Sequence, residues 1–148
     1  MARIDRYDQL VAWQFANELA DLVDTLVAKG AAADNESFRL QILKSSSKPP
    51  AQIAEGFARG LPKESAFYYR IARASIAETK NHLQRGFHRG YWSEADYKKG
   101  TELADCAFKT AGGLLASRVR LIKEGEERRK AEQKKRRSRQ PQLPKPTP

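Results

Sequence analysis

A chain of 148 residues with a formal net charge of +10 is long enough for one domain and a tail, and short for two domains. Its lone cysteine, Cys106, excludes an internal disulfide, no run approaches the roughly 20 apolar residues of a membrane span, and the first residues lack a secretory signal. We therefore expect a cytoplasmic protein with no membrane partner.

The positive charge is concentrated near the C-terminus. Residues 125–148 contain nine Lys/Arg against three Glu, a net charge of +6, which leaves +4 for residues 1–124. Apolar residues nearly vanish after Glu126, and the chain ends in a proline-rich stretch from Pro141 to Pro148. The sequence predicts a domain at 1–124 and a basic, proline-ended tail at 125–148.

The first helix is predicted from Asp8 to Lys29. Its apolar residues follow the i, i+3, i+4, i+7, i+8 spacing of one helix face; they are Leu19, Leu22, Val23, Leu26 and Val27. Residues 30–35 then form a connection of small residues. Asn35 is suited to cap a second helix, which Gly60 ends.

Two prolines, Pro49 and Pro50, interrupt the apolar stripe of this second helix. Each removes one backbone donor and costs roughly 3 kcal/mol in a regular helix interior. Three serines at 45–47 offer hydroxyls for the carbonyls that lose their donors, or a cap for a restarted helix. We expect a built-in bend that places Glu55 against the third helix, near Glu78 and His82. The architectural motif comprises Pro49, Pro50, Ile53, Glu55, Gly56 and Glu78.

Two further helices follow. Pro62 opens the third, which Gly90 stops, and Ser93 with Asp96 makes a start like a capping box for the fourth. Connections this short make sequential helices neighbours, so the fold class is all-α, an antiparallel up-down-up-down four-helix bundle. Pairs such as Glu126 with Lys130 are spaced to extend the fourth helix by some turns, whereas the proline end should be disordered.

Catalytic chemistry finds little support. The chain has two histidines and neither lies in a Glu-x-x-His motif, which excludes a di-iron site of the usual bundle type. Glu55, Glu78 and His82 could form a single-metal site or a hydrolytic group, but a hydrogen-bonded interior polar cluster is the favoured interpretation. Phosphate-binding glycine loops are also missing. We expect no enzyme activity, no metal and no cofactor.

Nucleic-acid binding is better supported. The third helix carries cations with aromatic residues nearby, including Arg73, Lys80, Arg85 and Arg89, although solvated helix surface is an equally good interpretation of them. The tail is the stronger electrostatic candidate. Its cations are Arg128, Arg129, Lys130, Lys134, Lys135, Arg136 and Arg137. Such a tail contacts phosphates and does not read a base sequence.

Four segments resemble a known family. They are Leu10–Gln14, Pro50–Gly56, Ser75–Thr79 and Gly90–Tyr97, and the Ile-Ala-Glu-Gly element at 53–56 is the most specific. Over about residues 7–123 the chain is similar to the bacterial four helix bundle protein family, whose founding members are encoded in intervening sequences of large-subunit ribosomal RNA genes. It departs from the family pattern at Lys48-Pro49, Gln52 and Ser65.

The resemblance implies a bundle without catalytic residues that assembles into a homo-oligomeric ring, commonly a pentamer. It also implies binding of nucleic acid or of a ribonucleoprotein partner. The leading hypothesis is therefore a homo-oligomer that binds RNA or DNA through phosphate contacts. The alternative is a scaffold or adaptor oligomer that recruits a protein partner and binds no nucleic acid.

Overall fold

The protein was analysed as a computed structural model that describes residues 3–139, and these residues form helices and no strand. A short 3₁₀ helix at Tyr7–Gln9 precedes five α-helices: α1 Val11–Val27, α2 Gly30–Asp34, α3 Glu36–Arg59, α4 Pro62–His88 and α5 Glu94–Arg139. The all-α prediction is confirmed. The first helix differs in detail, since a 3₁₀ turn begins it and α2 occupies the predicted connection. No described helix is long and apolar enough to cross a membrane.

The helix ends lie where cap chemistry predicts them. The Asn35 side chain accepts a hydrogen bond of 3.1 Å from the Phe38 amide, and Ser93 Oγ accepts one of 3.1 Å from the Asp96 amide. Gly60 and Gly90, just beyond α3 and α4, have φ of +69° and +73°, which side chains with a Cβ rarely adopt. Local sequence therefore sets both ends of α3, the end of α4 and the start of α5.

Helices α1, α3, α4 and α5 pack around one apolar core. Large side chains from the first three meet a row of small residues on α5, which are Gly100, Ala104, Ala107 and Ala111. A Cβ at Gly100 would lie 2.9 Å from Leu83 Cδ1, so a larger residue there would require the leucine side chain to move. The core members with at most 1 % exposure include Leu19, Val23, Ile42, Ile53, Tyr69, Ile76 and Leu83.

Contacts between α3 and α4 run in opposite order along the two helices. Near the start of α3, the Phe38 ring packs edge-on against His82, with 6.2 Å between centroids. Farther along, Thr79 Oγ1 donates a hydrogen bond of 3.1 Å to Ser45 Oγ. Near the end, Gly56 packs against Tyr69, where a Cβ would lie 2.8 Å from the tyrosine Cε1.

Helix α3 passes through Pro49 and Pro50 without losing its helical assignment. The three serine hydroxyls donate to the carbonyls of Ile42, Leu43 and Lys44 over 3.0 to 3.2 Å. The prolines free the carbonyls of Ser45 and Ser46 instead, so these hydroxyls do not replace the missing donors. They do not cap a restarted helix either, because α3 is continuous here. Pro49 is buried and Ile53 is fully buried, so packing against the other helices holds this segment in place.

Helix α5 crosses the predicted domain boundary at 124/125 as one continuous helix. The expectation that the basic segment extends the fourth helix is confirmed as far as Arg139. What changes near this boundary is the solvent exposure of α5, because every residue from 126 to 139 is exposed. The proline-rich end, predicted to be disordered, lies outside the described residues.

Candidate nucleic-acid interface

The end of α5 presents most of the predicted cations on a helix that is exposed on all sides. Residues 128–139 contain eight Lys/Arg and one Glu, a net charge of +7 over three turns. The i, i+4 pairs Glu126–Lys130 and Glu132–Arg136, together with residues of good helix propensity, favour helix here without tertiary contacts. None of the seven predicted tail cations lies in an ion pair within the described chain.

The tail cations surround the helix. At about 100° per residue, Arg128 and Arg137 point to opposite sides, and Lys134 lies between them. The exposed segment of 14 residues is about 21 Å long, which is enough to follow several phosphates of one strand. This geometry suits phosphate contacts from any direction and provides no face dedicated to base edges.

Two of the four predicted cations on or just beyond α4 are engaged within the protein. The guanidinium of Arg73 lies 4.0 Å above the Phe108 ring, and its Nε is buried without a hydrogen-bond partner. Lys80 Nζ lies 2.6 Å from Asp105 Oδ1. A ligand phosphate would compete with these intramolecular partners, so Arg73 and Lys80 are weaker candidates than the sequence indicates.

The other two cations, Arg85 and Arg89, line a polar pocket of about 190 Å³ at the start of α3. Its remaining lining residues are Asn35, Ser37, Phe38 and Gln41. The Arg89 guanidinium stacks over Phe38 at 5.4 Å and over Tyr91 at 6.0 Å from the ring centroids. Sequence reasoning found the arginines and missed Ser37 and Gln41, because they lie on another helix and carry no motif.

The pocket and the tail lie at opposite ends of α4. Lys63, in the first turn of α4, has its Nζ 3.8 Å from Glu126 Oε1, beside the point where the exposed part of α5 begins. Arg85 lies in the last turn of α4, and the helix of 27 residues is about 40 Å long. The predicted cations therefore form two separate groups within one protomer.

Glu55 does not reach Glu78 or His82, so the prediction of this cluster is wrong. Glu55 is exposed, and Arg59 donates a hydrogen bond of 2.8 Å to its carboxylate. That bond, with a further contribution from the neighbouring Tyr68 hydroxyl, holds the pKa of Glu55 below its usual value.

Helix geometry gives the reason for this error. Ile53 faces the core, and a residue two positions later lies about 200° around the helix, on the outer surface. The residue of α3 that lies beside Glu78 is Lys48, whose Nζ is 3.9 Å from Glu78 Oε2. Glu55 is therefore about 10 Å farther along the axis.

His82 and Glu78 do adjoin each other. His82 Nε2 lies 3.8 Å from Glu78 Oε1, and its Nδ1 is buried without a hydrogen-bond partner. Burial lowers the pKa of His82, Glu78 opposes this effect, and the nearby Arg85 adds to it. Within residues 3–139 no group of three or more His, Cys, Asp or Glu side chains is placed to hold a metal ion. The architectural residues Pro49, Ile53 and Gly56 are buried in the packing of α3.

A second surface feature is apolar. The last buried residue described on α5 is Ala111, yet Leu114, Leu115, Val119 and Ile122 follow it in half-buried positions. Leu121 is 42 % exposed and Leu61 is 62 % exposed. Both line a groove of about 390 Å³ between the start of α4 and α5, which Pro62 and Ile122 also line. The sequence pattern does not reveal this groove, because its walls come from two helices.

The packed part of the chain matches a known protein family. The family model described as 23S rRNA-intervening sequence protein matches residues 8–112, which cover most of the packed helices and end before the exposed part of α5. A comparison with curated proteins found no match.

Proposed function

The chain belongs to the 23S rRNA-intervening sequence protein family, and on that premise we propose that it is a non-enzymatic homo-oligomer that binds RNA or DNA through phosphate contacts. The observation that carries the proposal is the end of α5, a fully exposed helix with eight Lys/Arg and one Glu in residues 128–139. We place this activity in the cytoplasm, which is compatible with a chain whose only cysteine has no partner for a disulfide.

The electrostatics of this segment favour a polyanion over a compact ligand. Arg128 and Arg129 line open surface grooves, and the charge of the segment is spread over a length of several phosphate spacings. Binding releases counterions from the nucleic acid, so affinity should fall steeply with salt and depend weakly on base sequence. The tail extends away from the packed helices, which leaves it accessible to a long strand.

The proposed architecture is an antiparallel, up-down-up-down four-helix bundle of α1, α3, α4 and α5. Its support is the order of the α3 and α4 contacts, in which Phe38 meets His82 and Gly56 meets Tyr69. We also propose that α3 bends at Pro49–Pro50, since each proline lacks an amide donor and crowds the carbonyl four residues earlier.

Self-association is the second component of the proposal. Its support is the half-buried apolar segment of α5 after Ala111, with the exposed Leu121 and the adjoining groove. An apolar surface of this kind is stabilised when another chain covers it. A ring, commonly a pentamer, is the assembly that the family resemblance implies.

A lack of catalysis is the third component. Glu55 and Glu78, the carboxylates that could have formed a hydrolytic pair, lie at different levels of the bundle and have different cationic neighbours. A hydrolytic pair of carboxylates needs both groups beside the same scissile bond.

The test of nucleic-acid binding uses two variants with equal loss of charge. One changes Arg128, Arg129 and Lys130 to Gln, and the control changes the exposed body residues Lys44, Arg70 and Lys98 to Gln. We expect the wild type to bind a short single-stranded RNA with a strong salt dependence. The tail variant should lose about tenfold in affinity and about 2 units in the slope of log K against log salt, and the control should lose much less.

Equal losses in the tail variant and the body control would contradict the tail as the binding element. A wild-type protein that forms an oligomer and binds no RNA or DNA at low salt would contradict nucleic-acid binding altogether. That second result would favour the scaffold or adaptor function, in which the groove beside Leu61 and Leu121 recruits a protein.

Self-association is tested by light scattering. Leu121→Glu with Ile122→Glu should reduce the molar mass of the particle, because charges buried in an apolar contact without partners are costly. Leu40→Glu is the control, since Leu40 is 52 % exposed and lies on α3 away from the groove. A wild-type monomer at micromolar concentration, or an unchanged mass in the double variant, would contradict this assembly surface.

A further inference from the structure

The pocket at the start of α3 brings two arginines against a polar wall. Arg85 lies in the last turn of α4 and Arg89 is its C-cap residue, four positions later on the same side. Together with Asn35, Ser37 and Gln41 they line a pocket of about 190 Å³. Neither arginine forms an ion pair with another described residue. Two guanidinium groups thus converge on one small cavity without a carboxylate to neutralise them.

The pocket is preorganised on one side. The Arg89 guanidinium lies to one side of the adjoining Phe38 and Tyr91 rings, at 5.4 and 6.0 Å from their centroids. The rings themselves are fixed, because Asn35 Nδ2 donates a hydrogen bond of 2.8 Å to the Tyr91 hydroxyl and Phe38 is 4 % exposed. Stacking leaves the N–H groups in the guanidinium plane free for an acceptor. The two rings therefore favour one placement of the Arg89 guanidinium at the pocket.

The backbone adds partial positive charge to the same cavity. Helix α3 has 24 residues, and its first amides point toward its N-terminal end, where Ser37 lines the pocket. Asn35 caps the Phe38 amide, which leaves the amides of Glu36 and Ser37 without a partner inside the helix. The Glu36 carboxylate is exposed in this turn and is the nearest acid along α3.

Size limits what the pocket can hold. Sites for drug-sized ligands and cofactors enclose about 300–1,000 Å³, more than the 190 Å³ present here. One tetrahedral oxyanion fits, and a phosphate matches the paired N–H geometry of arginine.

We propose that this pocket binds one phosphate group of a nucleic-acid strand, in addition to the contacts of the tail. A phosphate group of a nucleic acid and free inorganic phosphate have the same chemistry. The choice of nucleic acid as the source therefore rests on the proposed function. It assigns Asn35, Ser37, Gln41, Arg85 and Arg89 to a defined subsite. A strand held at this end of α4 and by the tail is fixed at two points about 40 Å apart in one protomer.

The first experiment titrates inorganic phosphate into the full chain at constant ionic strength and follows the protein by NMR. We expect saturable shifts of the Glu36 and Ser37 amides, the arginine Nε–Hε groups and the ring of His82, which packs against Phe38. Half-saturation should lie near or below about 1 mM. The Arg85→Gln/Arg89→Gln variant should lose these shifts. No saturable shift, or the same shifts in that variant, would overturn the site.

The second experiment measures RNA affinity for the same variant and for a control of equal charge. Lys44→Gln/Arg70→Gln is the control, because both residues are exposed and lie outside the pocket. The pocket variant should bind about tenfold more weakly and lose about 0.7 in salt slope for one lost phosphate contact. Arg89→Lys, which keeps the charge and loses the planar fork, should recover only part of the loss. Equal losses in pocket and control variants would overturn the assignment to a nucleic-acid phosphate.

The two experiments separate failure of the subsite from failure of the proposed function. If the wild type binds no RNA but phosphate saturates the pocket, the phosphate site stands and the nucleic-acid source is refuted. If RNA binds through the tail and phosphate leaves the pocket signals unchanged, the tail function stands and the subsite is refuted. Thermal unfolding of each variant checks that its fold is intact.

Discussion

The packed part of α5 and its exposed end belong to one continuous helix and are stabilised in different ways. From Gly100 to Ala111 the helix buries a small-residue face against α1 and α4. From 126 to 139 it has no buried residue, and its local charge pairs contribute only about 0.2–0.5 kcal/mol each. Isolated helices of this length are marginal in water. Both parts of α5 are thus helical, but only the packed part is expected to resist local unfolding.

Substitution of Gly86 should cause the largest change in the free energy of unfolding, because this residue lies at the tightest contact of the packed region. A Cβ at this position would lie 2.0 Å from Trp92 Cζ2, and Trp92 is 8 % exposed and donates a hydrogen bond of 3.1 Å to the Leu83 carbonyl. Gly86→Ala must displace the indole, so we expect a loss of about 3 kcal/mol in the free energy of unfolding. Urea denaturation followed by circular dichroism measures it.

Gly113→Ala is the matched control on α5. A Cβ at Gly113 would have no heavy atom within 4 Å, so the alanine is sterically free. Helix propensity then predicts a gain of about 1 kcal/mol in the free energy of unfolding. The opposite signs of the two substitutions separate packing from propensity, and equal effects would contradict the placement of Trp92 against Gly86.

His82 should give an intermediate effect that depends on pH. Burial lowers its pKa in the folded state below the ordinary value of 6.5, so the unfolded chain takes up the proton first as the pH falls. The contribution of neutral His82 to the free energy of unfolding is complete above pH 6.5. It is lost as the pH falls from there through the lower folded-state pKa.

Urea midpoints at several pH values between neutral and about 5 test this prediction. His82→Gln should flatten that part of the stability curve, whereas the exposed His88→Gln should leave its shape unchanged. A wild-type protein that gains stability on acidification through this range would refute the assignment to a buried, neutral His82.

The sequence predicts those parts of the fold that depend on local chemistry. Asn35, Gly60 and Pro62 act through their own backbone or through a neighbour within a few residues, so the ends of α3 and the start of α4 follow from the sequence. The all-α class follows in the same way from apolar periodicity. The extension of the last helix follows from the i, i+4 charge pairs.

The positions that sequence reasoning missed depend on the axial register and rotation of packed helices. Glu55 was predicted near Glu78, but the level of Glu78 on α3 is occupied by Lys48. The pocket around Ser37 and Gln41 escapes prediction for the same reason, because its walls meet only after α3 and α4 have docked. Arg73 shows the opposite kind of error. The sequence indicates it as a nucleic-acid contact, but its guanidinium stacks on Phe108 of another helix. Spacing within one helix says nothing about which residue of another helix lies opposite.

Gly125 should give the smallest effect and the sharpest test of the contrast within α5. It lies at the start of the exposed end, and a Cβ there would contact no heavy atom within 4 Å. Gly125→Ala should raise the helix content and the amide-exchange protection of residues 126–139, because one glycine costs about 1 kcal/mol of helix relative to alanine. The urea midpoint should change by less than the Gly113→Ala shift, since opening of the exposed end is separate from unfolding of the core. Equal midpoint shifts at Gly113 and Gly125 would show instead that the exposed end unfolds together with the packed helices.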